Sequence, residues 1–128
     1  MSALTHAECF QLVGSPERGR RGLVSIDGRP PVALACVVLD SGQLLIPTGT
    51  DRTLVRAAAG RPVSVEFIHH DHGGRGWWIS GMGLARPMGY ADRPHPLPRT
   101  TVTSAMTSPF ANGIVVDVAR LTGRRDLD

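Results

Sequence analysis

"VALACVVLDSGQLLIPTGTDRTLVRAAAGRPVSVEFI" spans residues 32–68 and decides how this chain folds. Its first eight residues are continuously apolar and β-branched, the mark of a strand buried on both faces. Asp40, Ser41 and Gly42 make a short hairpin connection, and residues 43–47 return as a second strand. A Thr-Gly-Thr-Asp-Arg-Thr cluster at 48–53 then leads into a helix. Thr50 or Asp51 supplies the N-cap, Leu54, Val55 and Ala58 the apolar stripe, and Gly60 with Pro62 the stop. Beyond it Val63, Val65 and Phe67 alternate with Ser64 and Glu66, so one face of that strand is buried and the other is not.

Outward from this stretch the same logic holds. Upstream, "GLVSID" reads as a strand broken by the "DGRPP" turn. Before it, Thr5 and Glu8 form a Thr-x-x-Glu capping box for a helix that Gly14 ends. Downstream, "GWWISGMGLARPM" and "GIVVDVARL" are strands. The Pro-, Ser- and Thr-rich residues 87–112 between them form a long surface excursion, of the kind that is commonly functional. Six strands, short connections and two short flanking helices predict a mainly β, six-stranded antiparallel barrel in one domain, residues 1–128; a doubly wound fold would need more helices.

Composition narrows the function. The 128 residues are 41% hydrophobic and 20% charged, with no apolar run long enough to span a membrane. "MSALTHAECFQLVG" has neither the basic start nor the apolar core of a signal peptide, so a cytoplasmic protein is expected. Cys9 and Cys36 lie on different elements and are expected to be reduced. All 14 basic residues are arginine, giving a net charge of +3. They are scattered and aromatics are only 5%, so no nucleic-acid surface is expected.

The Thr-Gly cluster admits two readings. It is a capped strand–helix turn, or it is a phosphate site built from helix-terminal amides, the hydroxyls of Thr48 and Thr50, the open backbone of Gly49 and the charge of Arg52. His69, His70, Asp71 and His72 invite a metal reading, but consecutive loop residues rarely converge on one ion and none is expected. Adjacent Trp77 and Trp78 must face opposite sides of a strand; the outward one could stack on a planar ligand or seal a dimer. Gly81 and Gly83 leave room for a flat ligand, or simply let a barrel curve.

Taken together, "GRRGLVSIDGRPPVALACVVLDSGQLLIPTGTDRTLVRAAAGRPVSVEF", "GWWISGMGLA", "VVDVARLTGRRD" and "THAECFQLV" resemble, in order and spacing, the pyridoxamine 5′-phosphate oxidase-like family of flavin-binding split β-barrels. The resemblance covers all but the excursion. It implies a homodimer holding FMN, or a deazaflavin or heme, in a cleft between subunits, with a small-molecule substrate and oxidoreductase chemistry by hydride transfer at the flavin. The phosphate would be held by Thr48, Gly49, Thr50, Arg52 and Thr53. The ring would lie along the second strand at Cys36, Val37 and Val38, covered by aromatic and basic residues near the end of the partner chain, and Trp78 and Arg125 are further candidates for cofactor contact. The resemblance names no catalytic residue. The chain departs from the pattern at Thr53, where a lysine is usual, at Pro47, where a basic residue is frequent, and at Cys36, where a polar residue is common. Arg52 is the one clear charged contact retained. A carrier or sensor without turnover, and a barrel that has lost its cofactor and serves as an interaction module, are the alternatives.

Overall fold

The computed structural model describes residues 2–71 and 73–126, apart from the side chain of Ala119. Its elements are β1 (Ser2–Leu4), α1 (His6–Val13), β2 (Gly19–Ile26), β3 (Val32–Val38), β4 (Leu44–Pro47), α2 (Thr53–Ala58), β5 (Pro62–His70), β6 (Gly76–Pro87) and β7 (Gly113–Arg125). Antiparallel neighbours run β7-β4-β3-β2-β5-β6, and β6 pairs back onto β7, so six strands close a barrel. β1 adds as a short extra strand on β7.

The pleat dictates the interior. Val24 and Ile26 of β2, Val63, Val65 and Phe67 of β5, and Trp77 and Ile79 of β6 point inward with Cys36, Leu44, Ile46 and Leu121. Gly22 has no side chain because the Phe67 ring fills that space: a Cβ there would lie 2.6 Å from the ring. α1 plugs one end with Cys9 and Val13, and its capping box forms as expected, Glu8 N–H donating to Thr5 Oγ1 and Thr5 N–H to Glu8 Oε1. Gly81 and Gly83 sit opposite β7 on either side of Met82, beside a register shift between Met82 and Gly83. Cβ atoms at the two glycines would collide with Leu121 and with the Asp117 carbonyl. That space is already full, and the two glycines serve barrel curvature.

Three boundaries differ from expectation. β7 continues past Leu121 to Arg125, because its polar end is paired on both sides, with β6 and with β1. α2 begins at Thr53 with Arg52 as its N-cap residue, and Asp51 caps from one position earlier: its Oδ1 accepts from Thr53 N–H at 2.8 Å. The excursion is more ordered than an irregular loop, with 3₁₀ turns at Tyr90–Asp92 and Thr101–Thr103.

That excursion, residues 88–112, is a strap laid over the outer face of β3, β4 and β7. Phe110, with Met88 beside it, packs on Val37, Leu39, Leu45 and Val115 in a second apolar cluster. At its start Arg86 forms a two-pronged ion pair with Asp92, at 2.5 and 2.7 Å. Midway, Glu17 accepts from Thr100 Oγ1, Thr101 N–H and Thr101 Oγ1, all within 3.0 Å.

Candidate functional site

The Thr-Gly loop leaves β4 at Pro47, which pairs with Gly113 at the start of β7. The strap returns to the barrel at that same corner, so loop and strap meet. Thr48 N–H donates to the Asn112 carbonyl at 3.0 Å and Gly49 N–H to the Pro109 carbonyl at 3.1 Å. Asn112 Nδ2 donates back to the Gly49 carbonyl at 2.9 Å. Gly49 adopts φ +63°, and a Cβ on it would lie 3.2 Å from the Thr107 carbonyl. Only glycine meets both demands without strain. With Thr53 N–H bonded to Asp51, three amides of the predicted phosphate site are already engaged within the chain.

The side chains of the loop stand differently. Thr48 Oγ1 is buried and, among the described residues, has no hydrogen-bond partner. Buried hydroxyls are rarely left so, and this one belongs to the loop predicted to hold a phosphate. Thr50, Arg52 and Thr53 are exposed at the same corner. A donor set of one orphaned hydroxyl, one arginine and nearby amides suits a phosphate chemically, while the strap carbonyls now occupy two of those amides.

β3 places its three candidate residues on opposite sides. The Cys36 side chain is fully buried in the barrel, its Sγ facing the Leu34 carbonyl at 3.7 Å, and burial pushes its thiol up to about 12. It is a protonated core residue at neutral pH and no nucleophile. Val37 lies under the strap beside Phe110, and Val38 packs half-buried against the barrel core.

Trp77 points into the core and Trp78 outward, half exposed. Arg125 pairs across from Trp77 and lines a cavity of about 430 Å³ at the barrel mouth, with Leu12, His69, Asp71 and Gly76. His69 stacks on Trp77 at 5.5 Å, and the Arg20 guanidinium lies 4.8 Å from the Trp77 ring centroid, held below its usual range by burial. The structure therefore does not bring all ten candidates together: the Thr48–Thr53 corner, the buried β3 residues and the Trp78 and Arg125 side chains occupy separate places on one chain. His72 lies outside the described residues; among those described, no three metal-ligating side chains come together. Asn112, Pro109 and Glu17 had no motif to announce them. The lone bulky aromatic near the strap's end, Phe110, was the one available signal.

No protein-family model and no curated protein sequence matches the chain. Solved structures do. An FAD-binding protein from Mycobacterium smegmatis superposes with a TM-score of 0.70, at 25% identity and 98% coverage of both chains. An FAD-binding protein from Mesorhizobium loti gives 0.69 at 19% identity, covering 99% of this chain and 97% of the other. A Corynebacterium glutamicum protein assigned as a pyridoxamine 5′-phosphate oxidase gives 0.63 at 19%, covering 97% and 91%. The superpositions run over nearly the whole of each chain, and this chain takes the split-barrel fold of the pyridoxamine 5′-phosphate oxidase-like proteins.

Proposed function

We propose that the protein binds a flavin nucleotide between two copies of itself and acts as a flavin-dependent oxidoreductase. The observation that carries this reading is the orphaned Thr48 hydroxyl on the same loop as the exposed Arg52, on a barrel whose neighbour at 25% identity is an FAD-binding protein. Thr48 Oγ1 and Arg52 would hold the phosphate, and Thr50 lies beside them. A bound flavin would supply the hydride chemistry; the chain's part is to bind it, orient it and keep water from its ring. FMN satisfies the loop with one phosphate, and FAD is the form that the neighbours favour.

The second copy has a surface to meet. The outer face of β2, β5 and β6 exposes Leu23, Ile68, Trp78, Met82 and Leu84, with Trp78 51% and Met82 58% accessible. Pairing sets Ile68 beside Trp78, and places Met82 between Ser64 and Arg120. Exposed apolar side chains with a half-exposed tryptophan among them suit an association surface.

One observation favours a rival. The strap carbonyls already fill the Thr48 and Gly49 amides, as in a barrel that binds no phosphate and works as an interaction module. Titration of untagged protein with FMN and, separately, FAD, followed by fluorescence quenching and sedimentation, decides between them. The expected result is saturable binding by a dimer, weakened roughly tenfold or more in Arg52→Ala, since a charge-assisted contact contributes about 1.5–3 kcal/mol. A colourless monomer that quenches neither flavin would falsify the proposal and leave the interaction module.

A further inference from the structure

We infer that residues 107–112 are a latch that closes the Thr-Gly loop against phosphate, and that a phosphorylated ligand binds by displacing them. The inference rests on the phosphate reading of that loop given above. Its ground is competition for the same donors. Thr48 N–H and Gly49 N–H point at the Asn112 and Pro109 carbonyls, and Asn112 Nδ2 returns a bond to the Gly49 carbonyl. Three hydrogen bonds over two loop residues leave no approach to those amides while the latch is seated. Thr48 Oγ1 is shut in beside them without a partner, so the closed arrangement is imperfectly satisfied.

The latch is built to leave as a unit. Its far end is fixed, since Gly113 pairs with Pro47 in the barrel sheet and its carbonyl accepts from Met88 N–H at 2.8 Å. Between that hinge and Pro109 the side chain that binds it to the barrel is Phe110, packed on Val37, Leu45 and Val115. Neither carbonyl can withdraw from the loop without shifting Phe110. Opening therefore trades one apolar contact and three neutral hydrogen bonds for charge-assisted bonds to phosphate, which are about twice as strong each. A closed latch lowers apparent affinity by the fraction of molecules that are open, so loosening it tightens binding.

FMN and riboflavin, which differ by the phosphate alone, are the probes. Asn112→Ala removes the return bond and leaves both carbonyls in place. It is expected to tighten FMN binding roughly fivefold, the equivalent of one neutral hydrogen bond, and to leave riboflavin affinity unchanged. Saturating FMN is expected to speed hydrogen exchange at the Asn112 side-chain amide, which donates to the Gly49 carbonyl at 2.9 Å in the closed latch, but not at the Val115 N–H in the barrel. Phe110→Leu, which trims the apolar anchor of the latch, serves as a second variant should Asn112→Ala fold poorly, with the same ordering expected. Equal FMN affinity in wild type and variants, with exchange at the wild-type Asn112 side-chain amide unchanged or slowed on binding, would overturn the latch and leave the flavin reading intact. Absence of FMN and FAD binding from wild type and both variants would overturn the two together.

Discussion

The barrel and the strap are held by opposite means, although they share β3, β4 and β7. Inside the barrel the contacts are apolar, tight and non-directional: Phe67, Leu44, Ile46 and Ile79 are fully buried. The strap has one large apolar anchor, Phe110, and relies on directional bonds at Asp92, at Thr100 and Thr101, and at Asn112. Burial of that kind sets the global stability, whereas a segment held by a few polar anchors can open without the rest. A phosphate site that the strap can cover and uncover draws on this difference.

Two phenylalanines break the comparison most sharply. Phe67→Ala empties the barrel centre, where the Phe67 ring packs against Gly22, and a loss of about 3–5 kcal/mol is expected, or roughly 10–20 °C in Tm. Phe110→Ala is expected to lower Tm by less than a third of that. Its larger effect is local: trypsin should cut faster at the exposed Arg99, since cleavage follows the open population. Equal Tm losses in the two variants would show that strap and barrel melt as one unit and would remove the basis of the contrast.

The same contrast explains what could be read from residues alone. Strands showed themselves by alternation, as in Val63, Val65 and Phe67, and α1 by its Thr5–Glu8 box, because the cause of each lies within a few residues. The unbroken apolar run at 32–39 indicated burial on both faces, which holds at Ala35, Cys36 and Val37 but not at Val32 and Ala33, which are exposed. Its outer cover was not legible, since Phe110 meets Val37 from over seventy residues away in the chain, with no periodicity linking them. β7 ran on past Leu121 because β1 and β6 both pair with its polar end, which local hydrophobicity does not reveal. For the candidate site the donors Thr48, Gly49 and Arg52 were visible. The strap carbonyls that occupy two of the amides were not, because any residue can present a carbonyl.

The smallest expected effect sharpens the contrast by moving the strap alone. The Glu17 carboxyl is held below its usual value of 4.5, first by the Thr101 N–H, then by the Thr101 and Thr100 hydroxyls. A carboxyl depressed in the folded state contributes stability that is complete above its unfolded value and is lost as pH falls through its folded value. Above about pH 5.5 the clamp is therefore fully formed, and it releases only when acidification passes below the ordinary carboxylate range. Protonation of Glu17 removes no barrel contact, so the expected response is confined to the strap. The amide shift of Thr101 should titrate in that window while that of Val65, in the barrel wall, stays flat. Glu17→Gln should abolish the Thr101 step without changing the melting of the barrel at neutral pH. A Thr101 step that survives in Glu17→Gln would place its origin in another carboxylate, Asp92 being next in line through its two-pronged pair with Arg86.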